Sequence, residues 1–275
     1  MTGPYFGVAI AEEVLGEQAP VPFQGGLIPA MEHAAALGFT AVEFHIRDPH
    51  LLDAAWLRRR ADALQLRVAA VGTGLEHSLN QLSLTDADPA VRAEAGAALV
   101  RHIDFARHFD AVVFLGLIRG KAGSTAGVAP MLDLLAQELI PVAEYAQEQG
   151  VRTGFEPVAY YFSDLLNTTA ETLEFLSRPG LGSIGVLLDS HHMFLEDPDI
   201  PAAIRATADR LTHFHFSDSN RRYPGAGNVD FAEICQVLAG LGYQDAMSLE
   251  VLPAPTADIA AARGLAHMHQ CWPAH

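Results

Sequence analysis

The sequence predicts an α/β fold, a single (β/α)8 barrel that spans residues 1–275. Three observations support this prediction. The length of 275 residues is close to the roughly 250 residues typical of one such barrel. Hydrophobic residues make up 50% of the chain, which is enough for a large core. Short apolar segments alternate with amphipathic ones from end to end, as expected for repeated βα units around a parallel sheet.

The first half of the chain contains four predicted strands, at residues 6–11, 40–44, 67–71 and 111–116. A helix is predicted from Pro29 to Gly38, and Asp53 is expected to cap a second helix that reaches Leu64. The third strand leads into a Gly-Thr-Gly turn at residues 72–74, and a long helix follows at residues 89–108.

The second half repeats this alternation more regularly. Strands are predicted at residues 151–156, 184–189, 211–216 and 246–251, and helices at residues 130–149, 169–177, 201–209, 230–241 and 256–271. Gly150 provides a helix stop before the fifth strand. Because no linker or low-complexity segment interrupts the pattern, one domain is expected.

Composition and charge argue against several classes of protein. The net charge is −16, with 17 basic residues against 33 acidic ones, so nucleic acid is not expected as a partner. No uncharged apolar run is long enough for a membrane span, and the N-terminus has no signal-peptide pattern. Cys235 and Cys271 are isolated thiols, which fits a reducing compartment. A cytoplasmic protein is therefore expected.

Four successive strands of the second half end in side chains that can bind a metal ion: Glu156, Asp189, His215 and Glu250. In a parallel barrel the C-terminal ends of the strands form one rim, where active sites are built. Any one of the four could instead be a helix cap or a core residue, as Asp189 before Ser-His-His illustrates. Four on successive strands favour a cation, because three crowded carboxylates would otherwise repel one another. An oxygen-rich set with one imidazole favours Mn²⁺, with Mg²⁺ or Co²⁺ as alternatives.

The chain resembles the xylose-isomerase-like superfamily of TIM barrels and, within it, the ketose 3-epimerase group. The intervals between the four residues match that group: 33 residues from 156 to 189, 26 from 189 to 215 and 35 from 215 to 250. The likeness covers nearly the whole chain. Segments 41–49, 71–74, 82–85, 116–120 and 218–225 are similar to the branch that epimerises keto-sugar acids such as 5-keto-gluconate.

The resemblance implies a divalent-metal-dependent epimerase or isomerase of keto sugars or keto-sugar acids. Glu156 and Glu250 would transfer protons next to the carbonyl, through a metal-bound enediolate, while also holding the metal with Asp189 and His215. His192 and Arg221 match positions that hold substrate oxygens. Dimers and tetramers are common in this family, so a homo-oligomer is expected.

Four further residues bear on the predicted site: Arg119, Glu43, Tyr160 and Phe162. Arg119 follows the fourth strand and is a candidate for binding a substrate carboxylate, although an ion pair at the barrel rim is the alternative. Glu43 is interpreted as structural. The branch usually has Asn-Arg-Tyr-Glu-Thr after the first ligand, but this chain has Tyr160 and Phe162 in place of the basic and acidic groups. Phe162 is expected to line the substrate site and to favour a deoxy sugar or an aromatic aglycone.

Three alternatives stay open at this stage. A lyase that cleaves C-glycosides through their 3-keto form would use the same proton abstraction and would work with a small partner subunit on a keto-glycoside. An apurinic endonuclease of the related barrel family would need further His ligands, and residues 71–74 and 116–119 contain none. A non-catalytic sugar-binding barrel would not need the complete ligand set.

Overall fold

The computed structural model describes residues 4–123 and 127–273. Within them, eight parallel strands form a closed barrel in chain order, since each strand pairs with the next and the eighth pairs with the first. The predicted (β/α)8 barrel is therefore confirmed. The strands are β1 (Tyr5–Ala11), β2 (Ala41–His45), β3 (Arg67–Gly72), β4 (Val112–Leu115), β5 (Thr153–Phe155), β6 (Gly185–Asp189), β7 (Leu211–Phe216) and β8 (Ala246–Leu249).

Ten α-helices accompany these strands in the described part of the chain. Two of them, α3 and α7, are missing from the sequence prediction because they have only 5 and 7 residues and begin directly after a strand. The helices are α1 (Leu27–Leu37), α2 (Ala54–Ala63), α3 (Gly74–Ser78), α4 (Pro89–Ala106), α5 (Val128–Glu148), α6 (Thr169–Leu176), α7 (Ser190–Glu196), α8 (Ile200–Ala206), α9 (Phe231–Gly240) and α10 (Ala257–Cys271).

The residues at the starts of the helices include a capping side chain and prolines in the first turn. The predicted cap Asp53 accepts a hydrogen bond from the backbone N–H of Trp56 at 2.8 Å. Helices α1, α5 and α8 begin one or two residues before the proline with which they were predicted to begin. The backbone N–H groups of a first helical turn have no partner within the helix, so a proline fits anywhere in that turn.

Strand β5 is shorter than predicted, and its length determines where Glu156 lies. The N–H of Val151 donates to the carbonyl of Ala146 at 2.9 Å and so still belongs to the end of α5. The N–H of Glu156 donates to the carbonyl of Leu115 at 3.1 Å, next to the end of β4. Glu156 therefore lies at the rim of the barrel, immediately after the strand.

The main hydrophobic core packs the helices against the outside of the barrel, with residues such as Val8, Leu99 and Leu188 fully buried. A second, smaller cluster contains Phe114, whose ring centroid lies 5.3 Å from that of His215. Among the helices described, no segment is both long and apolar enough to cross a membrane.

Candidate metal centre

The four predicted ligands come together at the C-terminal rim of the barrel. One potential ligand atom from each of Glu156, Asp189, His215 and Glu250 lies within 4.8 Å of the others, and all four residues are buried. The Nδ1 atom of His215 is 3.4 Å from Glu156 Oε1, 3.5 Å from Glu250 Oε2 and 3.8 Å from Asp189 Oδ2. Four residues that are far apart in the sequence thus form one compact group, in which three carboxylates surround an imidazole.

Two atoms in this group indicate that a cation fits there. Glu156 Oε1 and His215 Nδ1 are buried and have no hydrogen-bond partner among the described residues. Buried polar atoms nearly always have a partner, and a metal ion between these two would serve both. The donor set of carboxylate oxygens and one imidazole suits a divalent cation such as Mn²⁺, Mg²⁺ or Co²⁺.

Asp189 combines the two roles that its sequence context allowed. Its Oδ1 accepts a hydrogen bond from the N–H of His191 at 2.8 Å and caps helix α7. Its Oδ2 faces His215 at 3.8 Å and also accepts from Arg221. Capping by one oxygen therefore fixes the direction of the other, which points into the metal-ligand group.

Arg221 bridges two of the carboxylates, donating from Nη1 to Asp189 Oδ2 and from Nη2 to Glu250 Oε2. Burial lowers the pKa of Arg221, but these two carboxylates outweigh that effect and raise it above its ordinary value. The residue has a backbone φ of 62°, which is uncommon for a side chain other than glycine. Its loop is held by Asp218, whose Oδ2 accepts from the N–H groups of Gly225 and Gly227 at 2.9 and 2.7 Å.

His192 lines the cavity beside the metal-ligand group as a neutral imidazole. Its Nδ1 accepts a hydrogen bond from the N–H of Ala159 at 3.2 Å, so the ring hydrogen is assigned to Nε2. Burial lowers the pKa of His192 to about 3. The Nε2–H is therefore available as a donor to a ligand oxygen over the whole neutral pH range.

The two carboxyl groups with a predicted role in proton transfer differ in environment. Burial raises the pKa of Glu156, and the charges of Glu250 and Asp189 add to this, against an opposing effect of His215. Burial also acts on Glu250, but Arg221 and His215 hold the pKa of that carboxyl below its ordinary value. Opposite shifts of this kind are typical of paired acid and base groups.

Glu43 was expected to be structural, and the structure connects it directly to the site. Its fully buried carboxylate contacts Nε2 of His45 at 2.8 Å, of His213 at 2.8 Å and of His215 at 2.9 Å. Burial alone would raise the pKa of Glu43, but the charge on His215 and the histidine hydrogen bonds hold it well below its usual range. A signal was present in the sequence, since Glu43 and His45 are two residues apart on one face of an apolar strand.

A cavity of about 230 Å³ opens from the metal-ligand group. Phe162 lies in its wall, with its ring edge-on to that of His192 at a centroid distance of 5.8 Å. Tyr160, two residues earlier, is 71% exposed and is not among the lining residues described. Five lining residues belong to the segment between β1 and α1: Leu15, Gln18, Ala19, Pro20 and Val21.

That segment folds around Gln24, whose side chain makes four hydrogen bonds within it. Gln24 Oε1 accepts from the N–H groups of Leu15 at 2.7 Å and Gly16 at 2.8 Å. Gln24 Nε2 donates to the carbonyl oxygens of Gly16 at 3.0 Å and Val21 at 2.8 Å. Both polar ends of one side chain therefore hold this part of the cavity wall in shape.

The structure places Arg119 outside the described lining of the cavity. The side chain is fully buried. Backbone carbonyls accept from its Nε and Nη1, whereas Nη2 has no hydrogen-bond partner among the described residues. Nε donates to Gly116 at 2.9 Å, and Nη1 donates to Leu165 at 3.3 Å and Leu166 at 3.0 Å. The guanidinium also lies over the ring of Phe155, 4.2 Å from its centroid, and burial lowers the pKa of Arg119 to about 9. Arg119 thus joins two loops, and it forms no ion pair with a carboxylate of the described residues.

Comparisons with known proteins agree with this architecture. The family model for the xylose isomerase-like TIM barrel matches residues 31–271. An L-ribulose 3-epimerase from Mesorhizobium japonicum is 32% identical over 230 residues, which covers 82% of this chain and 76% of that protein. A ketose 3-epimerase from Arthrobacter globiformis is 28% identical over 234 residues, which covers 82% of this chain and 77% of that one.

Solved structures give the same result. A structure of an L-ribulose 3-epimerase superimposes with a TM-score of 0.81 and 26% identity, covering 98% of this chain and 95% of that one. A 3-keto-D-glucoside 4-epimerase from E. coli superimposes with a TM-score of 0.80 at 18% identity, covering 98% of this chain and 100% of that one, and this likeness concerns the fold alone.

Proposed function

The chain belongs to the xylose isomerase-like TIM barrel family, and we propose that it is a metal-dependent epimerase of keto sugars. The observation that carries this proposal is the group of Glu156, Asp189, His215 and Glu250, with two buried ligand atoms that have no other partner among the described residues. The names of its relatives, L-ribulose 3-epimerase and ketose 3-epimerase, support inversion at the carbon next to a ketone.

The four residues would hold one divalent cation, for which we propose Mn²⁺, with Mg²⁺ or Co²⁺ as substitutes. A cation bound there would supply Lewis acidity, which makes the hydrogen on the carbon next to the carbonyl easier to remove. The donor set supports this choice, because it contains three carboxylates, one imidazole and no thiolate.

Glu156 and Glu250 are proposed to act as the proton-transferring pair. One carboxylate removes the proton from the carbon next to the ketone, and the electron pair of that C–H bond moves towards the carbonyl to form an enediolate. The other carboxyl group then returns a proton to the opposite face, which inverts the carbon and regenerates the ketone. The supporting geometry is that both carboxylates border the same cavity, with Glu156 Oε1 at 3.4 Å and Glu250 Oε2 at 3.5 Å from Nδ1 of His215.

His192 and Arg221 are proposed to orient the substrate oxygens. Both line the cavity, and both present hydrogen-bond donors, a neutral Nε2–H and a guanidinium. Donors aimed at the position where negative charge develops lower the barrier to its formation. We further propose one domain over residues 1–275, a cytoplasmic location, which two free cysteines support, and a homo-oligomeric assembly.

The test is proton exchange in D₂O followed by NMR. The Mn²⁺-loaded protein is incubated with ketohexoses, ketopentoses, keto-sugar acids and 3-keto glycosides. Deuterium next to the carbonyl together with a new epimer is the expected result. Release of a free aglycone without epimer would support a lyase instead, and no exchange with any of these compounds would contradict the proposal.

A further inference from the structure

The cavity divides into a polar inner end and an apolar wall. The polar side chains at the inner end are His45, Glu156, His192, Arg221 and Glu250, all within the metal-ligand group or in contact with it. Towards the mouth, the described lining contributes two further side chains with hydrogen-bonding groups, Gln18 and Ser78. The remaining side chains of that lining are apolar: Leu15, Ala19, Pro20, Val21, Leu75, Phe114, Leu117, Val158 and Phe162.

The wall around Phe162 is rigid as well as apolar. The N–H of Phe162 donates to the carbonyl of Ala159 at 2.8 Å, which closes a turn. The Nδ2 of Asn167 donates to the carbonyls of Val158 at 2.6 Å and Ser163 at 2.9 Å, one on each side of that turn. These bonds fix the backbone of the turn that carries Phe162, and the phenyl ring has no polar atom to offer a sugar hydroxyl.

The distribution of hydrogen-bonding groups in the cavity limits where a substrate can carry hydroxyl groups. A hydroxyl that leaves water and finds no partner loses binding free energy, whereas a methyl group gains it on the same surface. The carbonyl and the neighbouring hydroxyl of a keto sugar have partners at the inner end. A carbon that lies against Phe162 and Val158 meets no side-chain donor or acceptor from those two residues.

We propose, on the basis of the proposed function, that the preferred substrate is a deoxy ketose whose hydroxyl-free carbon faces Phe162. The cavity has a volume of about 230 Å³, and the apolar side chains of its wall favour a methyl group over a hydroxyl group. Specificity at this wall then comes from rejecting hydroxyls, while the chemistry takes place at the inner end.

The experiment compares kcat/KM for a ketohexose with kcat/KM for its 1-deoxy and 6-deoxy analogues, using the Mn²⁺-loaded protein. One deoxy analogue is expected to exceed the parent sugar by about tenfold, as for one hydroxyl left without a partner. Phe162→Glu should reverse that preference, and Phe162→Leu should keep it. Tyr160→Glu is the matched control, because it places the same charge two residues away on a side chain that is 71% exposed.

Two results would overturn this inference while leaving the epimerase intact. One is a parent ketohexose, or an aryl 3-keto glycoside, that is turned over at least as well as both deoxy analogues. The other is a substrate ratio in Phe162→Glu, folded by circular dichroism, that equals the wild-type ratio. Absence of exchange with every ketose would instead remove the proposed function and this inference together.

A second observation, independent of the cavity wall, is the group of three histidines around Glu43. Oε2 of Glu43 contacts Nε2 of both His213 and His215, and Oε1 contacts Nε2 of His45. A carboxylate can only accept hydrogen bonds, so His215 carries its ring hydrogen on Nε2. The lone pair of its Nδ1 is then directed at the group formed by Glu156, Asp189 and Glu250.

We infer that Glu43 is a positioning residue that fixes the tautomer and the ring direction of His215 for metal binding. Partners of this kind raise the basicity of a ligating imidazole and stop its ring from rotating. His45 extends the effect, because its Nε2 lies 2.8 Å from Glu43 and 3.9 Å from Oε1 of Glu250. One carboxylate on β2 thereby supports ligands that come from β7 and follow β8.

The variant Glu43→Gln tests this inference, since an amide retains the shape but cannot accept on both of its terminal atoms. We expect Mn²⁺ affinity to fall by roughly 10- to 100-fold and the visible spectrum of the Co²⁺ form to change. At saturating metal, kcat should fall more than the KM for the sugar rises. Glu76→Gln is the matched control, because Glu76 is equally buried but contacts Asn80 and lies near His102 rather than the metal-ligand group.

Wild-type Mn²⁺ affinity together with an unchanged Co²⁺ spectrum in Glu43→Gln would overturn this second inference. If Glu43→Gln does not fold, Glu43→Asp decides the question, because it keeps the charge and withdraws the carboxylate from His215. Weakened metal binding in Glu43→Asp would support the positioning role, and unchanged binding would contradict it.

Discussion

The inner end of the cavity and its outer wall are built on different principles. At the inner end the polar side chains have directional contacts: Arg221 bridges two carboxylates, and His45 contacts the buried carboxylate of Glu43. At the outer wall, contacts such as those of Leu15 and Leu117 are apolar and non-directional. The inner end therefore determines where individual substrate atoms lie, whereas the wall selects only for the shape and the low polarity of the substrate.

Because of this difference, substitutions at the inner end are expected to affect the reaction, and substitutions in the wall are expected to affect the choice of substrate. A change at the inner end leaves a buried charge or donor without a partner, which is costly and local. A change at the wall alters contact area, and its effect is spread over the bound substrate. Variants in the two regions should therefore differ in kind: turnover and metal binding respond to the first, and apparent substrate affinity responds to the second.

The largest effect is expected for Glu250→Gln at the inner end. The amide cannot exchange a proton with carbon, so turnover should fall by roughly 10²- to 10⁴-fold while the fold is retained. NMR of deuterium incorporation measures the rate, and circular dichroism checks the fold. Glu233→Gln, at an exposed position on α9, serves as the control. Near-normal stereospecific turnover in Glu250→Gln would break the two-carboxylate scheme.

Metal binding should distinguish the two regions in thermal stability. A ligand at 100 times its Kd stabilises the folded state by about 2.7 kcal/mol, so Mn²⁺ should raise the Tm of the wild-type protein. Asp189→Asn should lose that increase, whereas Leu15→Ala should keep it. Differential scanning calorimetry with and without EDTA provides the measurement. An equal Mn²⁺-dependent shift in Asp189→Asn would show that the cation binds elsewhere.

Truncation of a side chain in the wall is expected to have a smaller effect, and to change KM rather than kcat. Leu15→Ala removes apolar contact from a half-buried lining residue, and a loss of about 1 kcal/mol would raise KM roughly fivefold. The kcat should stay close to the wild-type value. Steady-state kinetics with the substrate identified by NMR separates the two constants. A selective fall in kcat would show that the wall takes part in the chemistry.

The smallest effect is expected for the pH dependence of stability. It arises from the buried imidazole of His102, which belongs neither to the inner end nor to the wall. His102 contacts the carbonyls of Ala98 at 2.9 Å and Ile46 at 3.3 Å, and burial lowers its pKa below 6.5. The folded state therefore keeps His102 neutral while the unfolded chain takes up a proton below about pH 6.5. Stability from this group is present above that pH and is lost as the pH falls below it, by up to about 1.4 kcal/mol per pH unit.

Chemical denaturation between pH 7 and pH 5 measures this slope. His102→Gln should flatten it, while His50→Gln, at an exposed position, should not. An equal slope in both variants would assign the acid sensitivity to other buried histidines, such as those at the inner end.

The fold, and the meeting of Glu156, Asp189, His215 and Glu250 at one rim, could be predicted from the sequence because both follow from the order of strands and helices along the chain. Strand ends recur with the βα period, and a parallel barrel brings its strand ends to one rim. The placement of Arg119 was not accessible, since its partners at Leu165 and Leu166 are carbonyls from a loop more than 40 residues away. The connection of Glu43 to His215, 172 residues later, likewise depends on closure of the barrel.

The segment between β1 and α1 can change in sequence independently of the four candidate ligands. It supplies Leu15, Pro20 and Val21 to the wall and is held in shape by Gln24 from within the same segment. The four candidate ligands lie on other segments of the chain, at or after the ends of β5, β6, β7 and β8. A replacement of this one segment, by natural drift or by grafting, therefore changes part of the cavity wall and leaves Glu156, Asp189, His215 and Glu250 in place.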